Sequence, residues 1–187
     1  MRIIGGTFRG LTLADIGKGD PAAHLRPTSD RVREAIFNLL VNGGYGDPVT
    51  GARVLDLFAG TGALGLEALS RGAAHCSFVD DGKQAGALIR ANIALTRTGG
   101  QADLFRLDAT KLGLARGPPF DLIFLDPPYG LGLGEKAMSA TLTGGWIAPG
   151  ALVVWEENKA PILPPPLTLV DQRRYGDTLI SLARMPP

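Results

Sequence analysis

The sequence has little from which a disulfide framework, a metal site or a membrane span could be built. Only one of its 187 residues is a cysteine, Cys76, so no disulfide can form within the chain. His24 and His75 lie far apart and have no cysteine partner at metal-ligand spacing, so no metal is expected. No apolar run approaches the roughly 20 residues of a membrane-spanning helix, and the first residues lack the apolar stretch of a secretory signal. These shortages indicate a cytoplasmic protein that needs neither a membrane nor a metal.

The chain also lacks an excess of charge of either sign. Its 19 lysines and arginines nearly balance its 18 acidic residues, which leaves a net charge of +1. A global electric field that attracts nucleic acid is therefore excluded, and any such contact must come from a local basic patch. Hydrophobic residues make up 45% of the chain, which is enough for a real core, and the length predicts one domain.

From residue 52 onward, strand-like and helix-like segments alternate. This rhythm predicts an α/β fold of Rossmann-like type, with a mostly parallel sheet and helices on both faces. The predicted strands are 52–58, 75–80, 102–108, 120–125 and 151–157, and the predicted helices are 63–72, 83–97 and 135–143. The C-terminal segment, which follows a proline-rich linker, predicts a closing antiparallel hairpin.

The first 40 residues show a different pattern. Residues 1–13 carry Gly5–Gly6 between short β-prone runs and predict a β-hairpin, and the glycines and prolines that follow predict a loop up to residue 27. A helix is predicted over 28–40, because its apolar residues fall on one face and Thr28, Ser29 or Asp30 can cap it. We therefore expect an N-terminal extension, 1–27, and a main domain, 28–187.

A glycine-rich segment joins the first core strand to the first core helix. It contains Gly60-x-Gly62-x-x-Gly65, in which glycine lets the backbone approach a ligand and lets helix and strand pack closely. Asp80 follows Gly60 by 20 residues, at the end of the second strand, where an acid can bind the two ribose hydroxyls of an adenosine-containing ligand. Tight strand-to-helix turns also use glycine for purely structural reasons, but the loop, its context and the spaced acid together favour a ligand site.

Two further acids argue against a dinucleotide as that ligand. Asp56 lies four residues before Gly60, where it would repel a pyrophosphate but could pair with a cationic amino-acid group. Asp108 lies at the end of the third predicted strand, where it could reach an adenine amine. Three acids at neighbouring strand ends suit S-adenosylmethionine, which carries an ammonium, a sulfonium, two ribose hydroxyls and an adenine amine.

The segment LDPPYG, residues 125–130, follows a buried strand directly. Pro127 and Pro128 stiffen the chain and would hold Asp126 and Tyr129 on a rigid ledge at the strand end. An ordinary loop with a solvated aspartate is the alternative. In such an arrangement the Asp126 carboxylate and the Pro127 carbonyl could accept hydrogen bonds from the two N–H groups of an exocyclic amine on a base. The aromatic ring could then stack on that base, which must be unstacked from its neighbours.

These two motifs carry a resemblance to known enzymes. The stretch DLFAGTGALGLEALSRG resembles the first motif of class I methyltransferases, and DPPY is similar to the fourth motif of those that methylate exocyclic base amines. Asp80 and Asp81 stand together where many relatives have a glutamate followed by a spaced aspartate, so either could bind the ribose. The resemblance implies that the cofactor residues are Asp56, Phe58, Ala59, Gly60, Thr61 and Gly62 at the methionine end, Asp80 at the ribose, and Asp108 and Ala109 at the adenine.

The N-terminal third of the sequence resembles a more specific group of these methyltransferases. The stretches MRIIGGTFRG and LRPTSDRVREAIFN closely resemble the bacterial family that methylates guanine N2 in 16S ribosomal RNA. That family implies a seven-stranded methyltransferase sheet, catalysis by Asp126, Pro127, Pro128 and Tyr129, and an extension that contacts RNA. The RNA partner would lie within a small ribosomal subunit or an assembly intermediate. The arginines implicated are Arg2, Arg9, Arg26, Arg31 and Arg33, although without the resemblance they would suit an ordinary solvated face.

Other functions are compatible with parts of the pattern. An adenine-N6 methyltransferase acting on DNA or RNA shares the DPPY motif. A nucleotide-dependent oxidoreductase could use the glycine loop, and an RNA-binding assembly factor would need no cofactor. The identity of the modified guanosine is not encoded in any of these motifs.

Overall fold

Strands and helices alternate along the chain in a computed structural model that describes residues 1–15 and 29–187. The strands are β1 Arg53–Leu57, β2 His75–Val79, β3 Ala102–Phe105, β4 Phe120–Leu125, β5 Ile147–Glu157, β6 Thr168–Tyr175 and β7 Thr178–Arg184. The helices of these ranges are α1 Asp30–Asn42, α2 Ala63–Ser70, α3 Lys83–Thr96 and α4 Leu133–Thr143. None of the helices in this part of the chain has the length and apolar character of a membrane span.

All seven strands form one sheet, in the order β3-β2-β1-β4-β5-β7-β6. Neighbours from β3 to β5 are parallel, whereas β7 runs antiparallel to both β5 and β6. This confirms the predicted mostly parallel sheet and the C-terminal hairpin. The strand order reverses between β1 and β4, and in open α/β sheets ligands bind beyond the carboxyl ends of the strands at such a point.

The sheet buries apolar side chains on both faces, because successive strand residues point to opposite sides. Val54 of β1 packs in the core under α1, α2 and α3, whereas Leu55 and Leu57 pack in the core under α4. The approach of α4 is close, since a Cβ atom on Gly134 would lie 2.4 Å from the ring of Trp155 in β5. Helices therefore cover both faces, as predicted.

Several element boundaries differ from the sequence prediction. β3 ends at Phe105 rather than near residue 108, because the Asp108 side chain caps a short 3₁₀ helix, Ala109–Lys111. β5 begins at Ile147, before the predicted residue 151. α1 begins at Asp30, where the Ser29 side chain accepts a hydrogen bond from the Val32 N–H at 3.2 Å. Thr28, another candidate cap, lies outside the described residues, as does most of the predicted loop.

The N-terminal residues pair as an antiparallel hairpin without regular strands. Arg2 forms an isolated bridge with Thr12, and the Ile3 N–H donates to the Leu11 carbonyl at 2.9 Å. The connecting turn is longer than the predicted Gly5–Gly6 turn, because the backbone N–H groups of Ile4, Gly5, Thr7 and Phe8 donate to Glu67 and Ser70 of α2 instead. A Cβ atom on Gly6 would lie 1.8 Å from the Ser70 carbonyl oxygen, so the glycine permits a close approach to this helix rather than to a phosphate.

A buried carboxylate fastens this hairpin to the domain. Glu67 of α2 is fully buried and accepts hydrogen bonds from the N–H groups of Ile4 and Gly5, both at 2.8 Å. It also pairs with the Arg71 Nε at 2.8 Å and lies 3.6 Å from the Arg33 Nε. The hairpin and α1 are therefore both held by one side chain of α2.

Arg33 differs from the sequence expectation of an RNA contact. Its side chain is fully buried, and its guanidinium donates to Asp30 at 2.9 Å and to the Arg2 carbonyl. The charge of Glu67 compensates the guanidinium, which explains how an arginine can be buried at this position. Arg33 is thus withdrawn from the surface and cannot contact RNA in this structure.

We predict that Glu67→Gln lowers the free energy of unfolding by roughly 3 kcal/mol, because an amide nitrogen replaces one acceptor oxygen and two arginines lose their counter-charge. Chemical denaturation monitored by circular dichroism measures the change. Glu34→Gln on exposed α1 surface is the matched control and should change the stability by less than about 0.5 kcal/mol. Equal stability of both variants would show that Glu67 does not anchor the hairpin.

Candidate active site

A cavity of about 880 Å³ opens at the carboxyl ends of the central strands. It brings together the glycine loop after β1, the acid after β2, and the segment after β4. The predicted site residues that line it are Asp56, Phe58, Ala59, Gly60, Thr61, Asp80, Asp126, Pro127, Pro128 and Tyr129. The lining does not include the candidates Gly62, Asp108, Ala109, Arg2, Arg9, Arg31 and Arg33. Arg26 lies outside the described part of the chain.

The glycine loop has an unusual backbone. Phe58, Gly60 and Gly62 all have positive φ, at 60°, 56° and 79°. Such angles are rare for a residue with a side chain, so Phe58 is held in a strained conformation. Gly65 has a different role, because a Cβ atom there would lie 2.4 Å from the ring of Phe78 in β2. Gly65 therefore permits close packing of α2 on β2, whereas Gly60 lines the cavity.

Asp80 ties this loop to the end of β2. Its carboxylate accepts hydrogen bonds from the N–H groups of Gly60, at 2.9 Å, and Gly82, at 2.8 Å. Burial nevertheless raises the pKa of Asp80 above its ordinary value. Asp81 lies beside it at the cavity but is exposed. Asp80 is thus the better-fixed of the two acids.

Asp56 is the most deeply buried acid of the site. It is 1% exposed, and its carboxylate accepts a hydrogen bond from the Gly65 N–H at 2.9 Å. Burial is the main cause that raises the pKa of Asp56 to about 8; the Gly65 hydrogen bond opposes this rise, and the nearby charge of Asp80 adds to it. A cation in the cavity would favour the ionised form of both acids. The site is therefore electrostatically prepared for a positively charged ligand.

Asp108 is occupied by its own neighbours. Its carboxylate accepts hydrogen bonds from the backbone and the side chain of Thr110, at 2.9 and 2.6 Å, and these bonds lower its pKa. Lys111 lies 3.4 Å away. Ala109 beside it is buried. The expected adenine contact of Asp108 and Ala109 stays a prediction.

The segment after β4 is fixed at both ends. The Asp126 N–H donates to the Leu57 carbonyl of β1 at 3.4 Å, and the Asp126 side chain is half-buried at the cavity. The Tyr129 hydroxyl donates to Glu156 of β5 at 2.8 Å and lies 3.3 Å from the Thr178 hydroxyl of β7. Burial raises the pKa of Tyr129, so its hydroxyl stays protonated and can donate. Three strands thus determine the position of this segment.

The sequence analysis missed several residues of the cavity. Glu156 and Thr178 come from the C-terminal strands, and Met1 comes from the hairpin, where its sulfur accepts a hydrogen bond from the Thr61 hydroxyl at 3.4 Å. Glu156 had a detectable signal, because it is an acid at the carboxyl end of an apolar strand next to β4. Met1 had none. In the described ranges, 1–15 and 29–187, no group of three or more potential metal ligands occurs.

Comparison with known proteins identifies the family. Residues 1–184 match the family described as Conserved hypothetical protein 95. Ribosomal RNA small subunit methyltransferase D of Escherichia coli strain K12 is 36% identical over 185 residues, which are 97% of this chain and 88% of that protein. The same enzyme of Haemophilus influenzae is 35% identical over 182 residues, 94% of this chain and 89% of that protein.

A solved structure shows the same architecture. The Escherichia coli protein yhhF superposes with a TM-score of 0.81 at 34% sequence identity, over 100% of this chain and 98% of that one. The sheet order, the glycine loop and the DPPY segment therefore occur together in a fold of class I methyltransferase type. The chain belongs to the Conserved hypothetical protein 95 family, the methyltransferase family that includes ribosomal RNA small subunit methyltransferase D.

Proposed function

We propose that this protein transfers a methyl group from S-adenosylmethionine to the exocyclic N2 amine of a guanosine in 16S ribosomal RNA. The observation that carries the proposal is the position of Asp126, which lines the same cavity as Asp56 and Asp80. The amine-binding segment and the cofactor-binding loop thus face one space. The names of the relatives, which specify small-subunit ribosomal RNA, support the choice of substrate.

The residues at the cavity suit S-adenosylmethionine. The buried Asp56 and the half-buried Asp80 offer carboxylates to a ligand that carries two positive charges and two ribose hydroxyls. Gly60, whose backbone is left-handed, has no side chain between the loop and the cavity. Bound there, S-adenosylmethionine would supply an electrophilic methyl group on a sulfonium. Asp56 would face the ammonium, and Asp80 would accept hydrogen bonds from the ribose.

Asp126 would act on the amine that receives the methyl group. The lone pair of an exocyclic amine is delocalised into the base, so the amine is a poor nucleophile. A carboxylate that accepts a hydrogen bond from one N–H favours an out-of-plane lone pair and offsets the positive charge that develops on nitrogen. The Pro127 carbonyl would accept the other N–H, and Tyr129 would stack on the base. Because the cavity lies beyond the strand ends, the base must leave its stack to reach it.

The hairpin would hold the RNA around this base. Arg2, Arg9 and Arg31 are exposed in the structure, whereas Arg33 is buried and is left out of the proposed surface. Phosphate contacts of this kind fix the orientation of a nucleic acid without reading its sequence. We propose that residues 1–27 form an extension that contacts 16S rRNA in a small ribosomal subunit or an assembly intermediate, in the cytoplasm. Residues 28–187 would form the methyltransferase domain.

We predict that the protein produces N2-methylguanosine in 16S rRNA of small subunits that lack this modification, and that Asp126→Asn lowers kcat about a hundredfold or more. The variant keeps the shape of the side chain but removes its charge, so cofactor affinity should stay within about threefold of wild type. Mass spectrometry of nucleosides identifies the product, and calorimetry measures the affinity.

Asp121→Asn is the control for this experiment, because Asp121 lies at the other end of β4 and outside the cavity. Its amide can still accept the hydrogen bond from the Arg53 N–H. Formation of N6-methyladenosine instead would show that the protein is an adenine-N6 methyltransferase rather than a guanine-N2 methyltransferase. Wild-type turnover in Asp126→Asn would refute the assigned role of the carboxylate.

We predict that Asp80→Asn weakens S-adenosylmethionine binding about tenfold or more, since hydrogen bonds to a charged acceptor contribute roughly 1.5–3 kcal/mol each. Asp81→Asn, its exposed neighbour, should change the dissociation constant less than about threefold. Isothermal titration calorimetry at one pH compares the two variants. The opposite order of effects would assign the ribose to Asp81.

We predict that Arg2→Ala combined with Arg9→Ala weakens binding to rRNA and reduces the slope of log K against log salt by about 0.7–1.8, which corresponds to one or two lost phosphate contacts. Cofactor affinity should not change. Arg97→Ala combined with Arg116→Ala removes the same charge from two exposed positions outside the hairpin and the cavity and is the control. Filter binding across a salt series measures both, and equal slopes would place the RNA elsewhere.

A further inference from the structure

Two acidic residues, Asp126 and Glu156, follow paired residues of β4 and β5 at the cavity. β4 and β5 are parallel neighbours in which Leu125 is paired with Trp155. Asp126 follows the first of these residues and Glu156 follows the second, so both acids occupy the same position along adjacent strands. Adjacent strands lie about 4.8 Å apart, which sets the approximate spacing of the two side chains' origins. Both residues line the cavity.

Glu156 is held in place by the DPPY segment itself. It is 5% exposed, and its Oε1 atom accepts the hydrogen bond from the Tyr129 hydroxyl at 2.8 Å. A carboxylate has roughly four acceptor positions, so this bond does not exhaust its capacity. Glu157, the next residue of β5, points to the opposite side of the sheet and does not line the cavity. Only Glu156 of this pair is therefore oriented toward a base bound by Asp126 and Tyr129.

The neighbours of the reacting amine differ between the purines. In guanine the N2 amine is flanked by the N1–H group, a hydrogen-bond donor. In adenine the N6 amine is flanked on both sides by ring nitrogens that are acceptors. An ionised carboxylate can only accept, so it pairs with the guanine edge and faces a lone pair on the adenine edge. In a buried site an unpaired charge of this kind strongly disfavours the wrong base.

We propose that Glu156 is the residue that selects guanine, by accepting the N1–H group while Asp126 accepts an N–H of the adjacent N2 amine. This inference rests on the proposed function, since it assumes that a guanine amine enters the cavity. It assigns separate tasks to the two acids. Asp126 engages the exocyclic amine, which both purines possess, and Glu156 engages the ring position that distinguishes them.

The test uses 2-aminopurine, which keeps the N2 amine of guanine but has a bare acceptor nitrogen at N1. The substrate is the small subunit reconstituted with 16S rRNA that carries either guanosine or 2-aminopurine at the position methylated by the wild-type enzyme. Wild type should prefer guanosine in kcat/KM by about thirtyfold or more, because a site built around a donor rejects the analogue without it. In Glu156→Gln, whose amide can accept from N1–H or donate to bare N1, the preference should fall below about threefold.

Glu157→Gln is the matched control and should retain the wild-type preference. A wild-type enzyme that methylates both substrates equally well would overturn the inference without any variant. A Glu156→Gln enzyme that keeps the full preference would also overturn it, because the discrimination would then come from the O6 position, which 2-aminopurine also lacks. A product methylated at adenine N6 rather than guanine N2 would refute the proposed function itself, so the two failures are distinguishable.

Discussion

The hydrogen bonds that the backbone around the glycine loop donates to Asp56 and Asp80 are the constraint on which the site depends. Asp56 of β1 accepts from the Gly65 N–H in the first turn of α2, and Asp80 after β2 accepts from the Gly60 N–H in the loop. Phe58, two residues before Gly60, has a backbone conformation that costs of order 1–3 kcal/mol and persists only where its surroundings impose it. The same carboxylates that would receive the cofactor therefore also shape the loop that surrounds it. Their burial costs free energy in the isolated protein, and a cationic ligand would recover part of that cost.

This constraint extends from the loop to the N-terminal hairpin. The loop sets the start of α2, and α2 carries Glu67, whose carboxylate holds the backbone of Ile4 and Gly5. The same hairpin touches the loop directly through Met1 and Thr61. Two independent contacts thus fix the exposed arginines of the hairpin relative to the cavity. A surface proposed to hold RNA is in this way positioned by the elements that form the cavity.

Local patterns in the sequence predicted much of this arrangement, and the misses share a physical cause. β4 was predicted at its observed bounds, and the glycine loop and the DPPY segment lie where expected, because strand periodicity, left-handed glycines and prolines act over a few residues. Arg33 was misjudged because its partner Glu67 is 34 residues away in sequence. Glu156 could be noticed as an acid at the end of an apolar strand, but its place beside Asp126 follows from strand register, which appears only when the sheet assembles. Family membership, finally, argues against the oxidoreductase and the cofactor-free assembly factor.

Although the net charge is near zero, acidic side chains concentrate at the cavity and exposed arginines lie on the hairpin, a separation that the proposed reaction needs. Among the described residues the acidic and basic side chains at the cavity are Asp56, Asp80, Asp81, Asp126, Glu156, Asp177 and Lys83, so acids outnumber bases there. Such a cavity attracts a cationic cofactor and the N–H edge of a base but repels phosphate. In the proposed reaction the RNA backbone would therefore stay outside while one base enters; the exposed arginines of the hairpin lie outside the cavity. The electrostatics of the protein would then favour base extrusion as well as its shape does, since the arginines attract the RNA backbone and the acidic cavity attracts the N–H edge of the base.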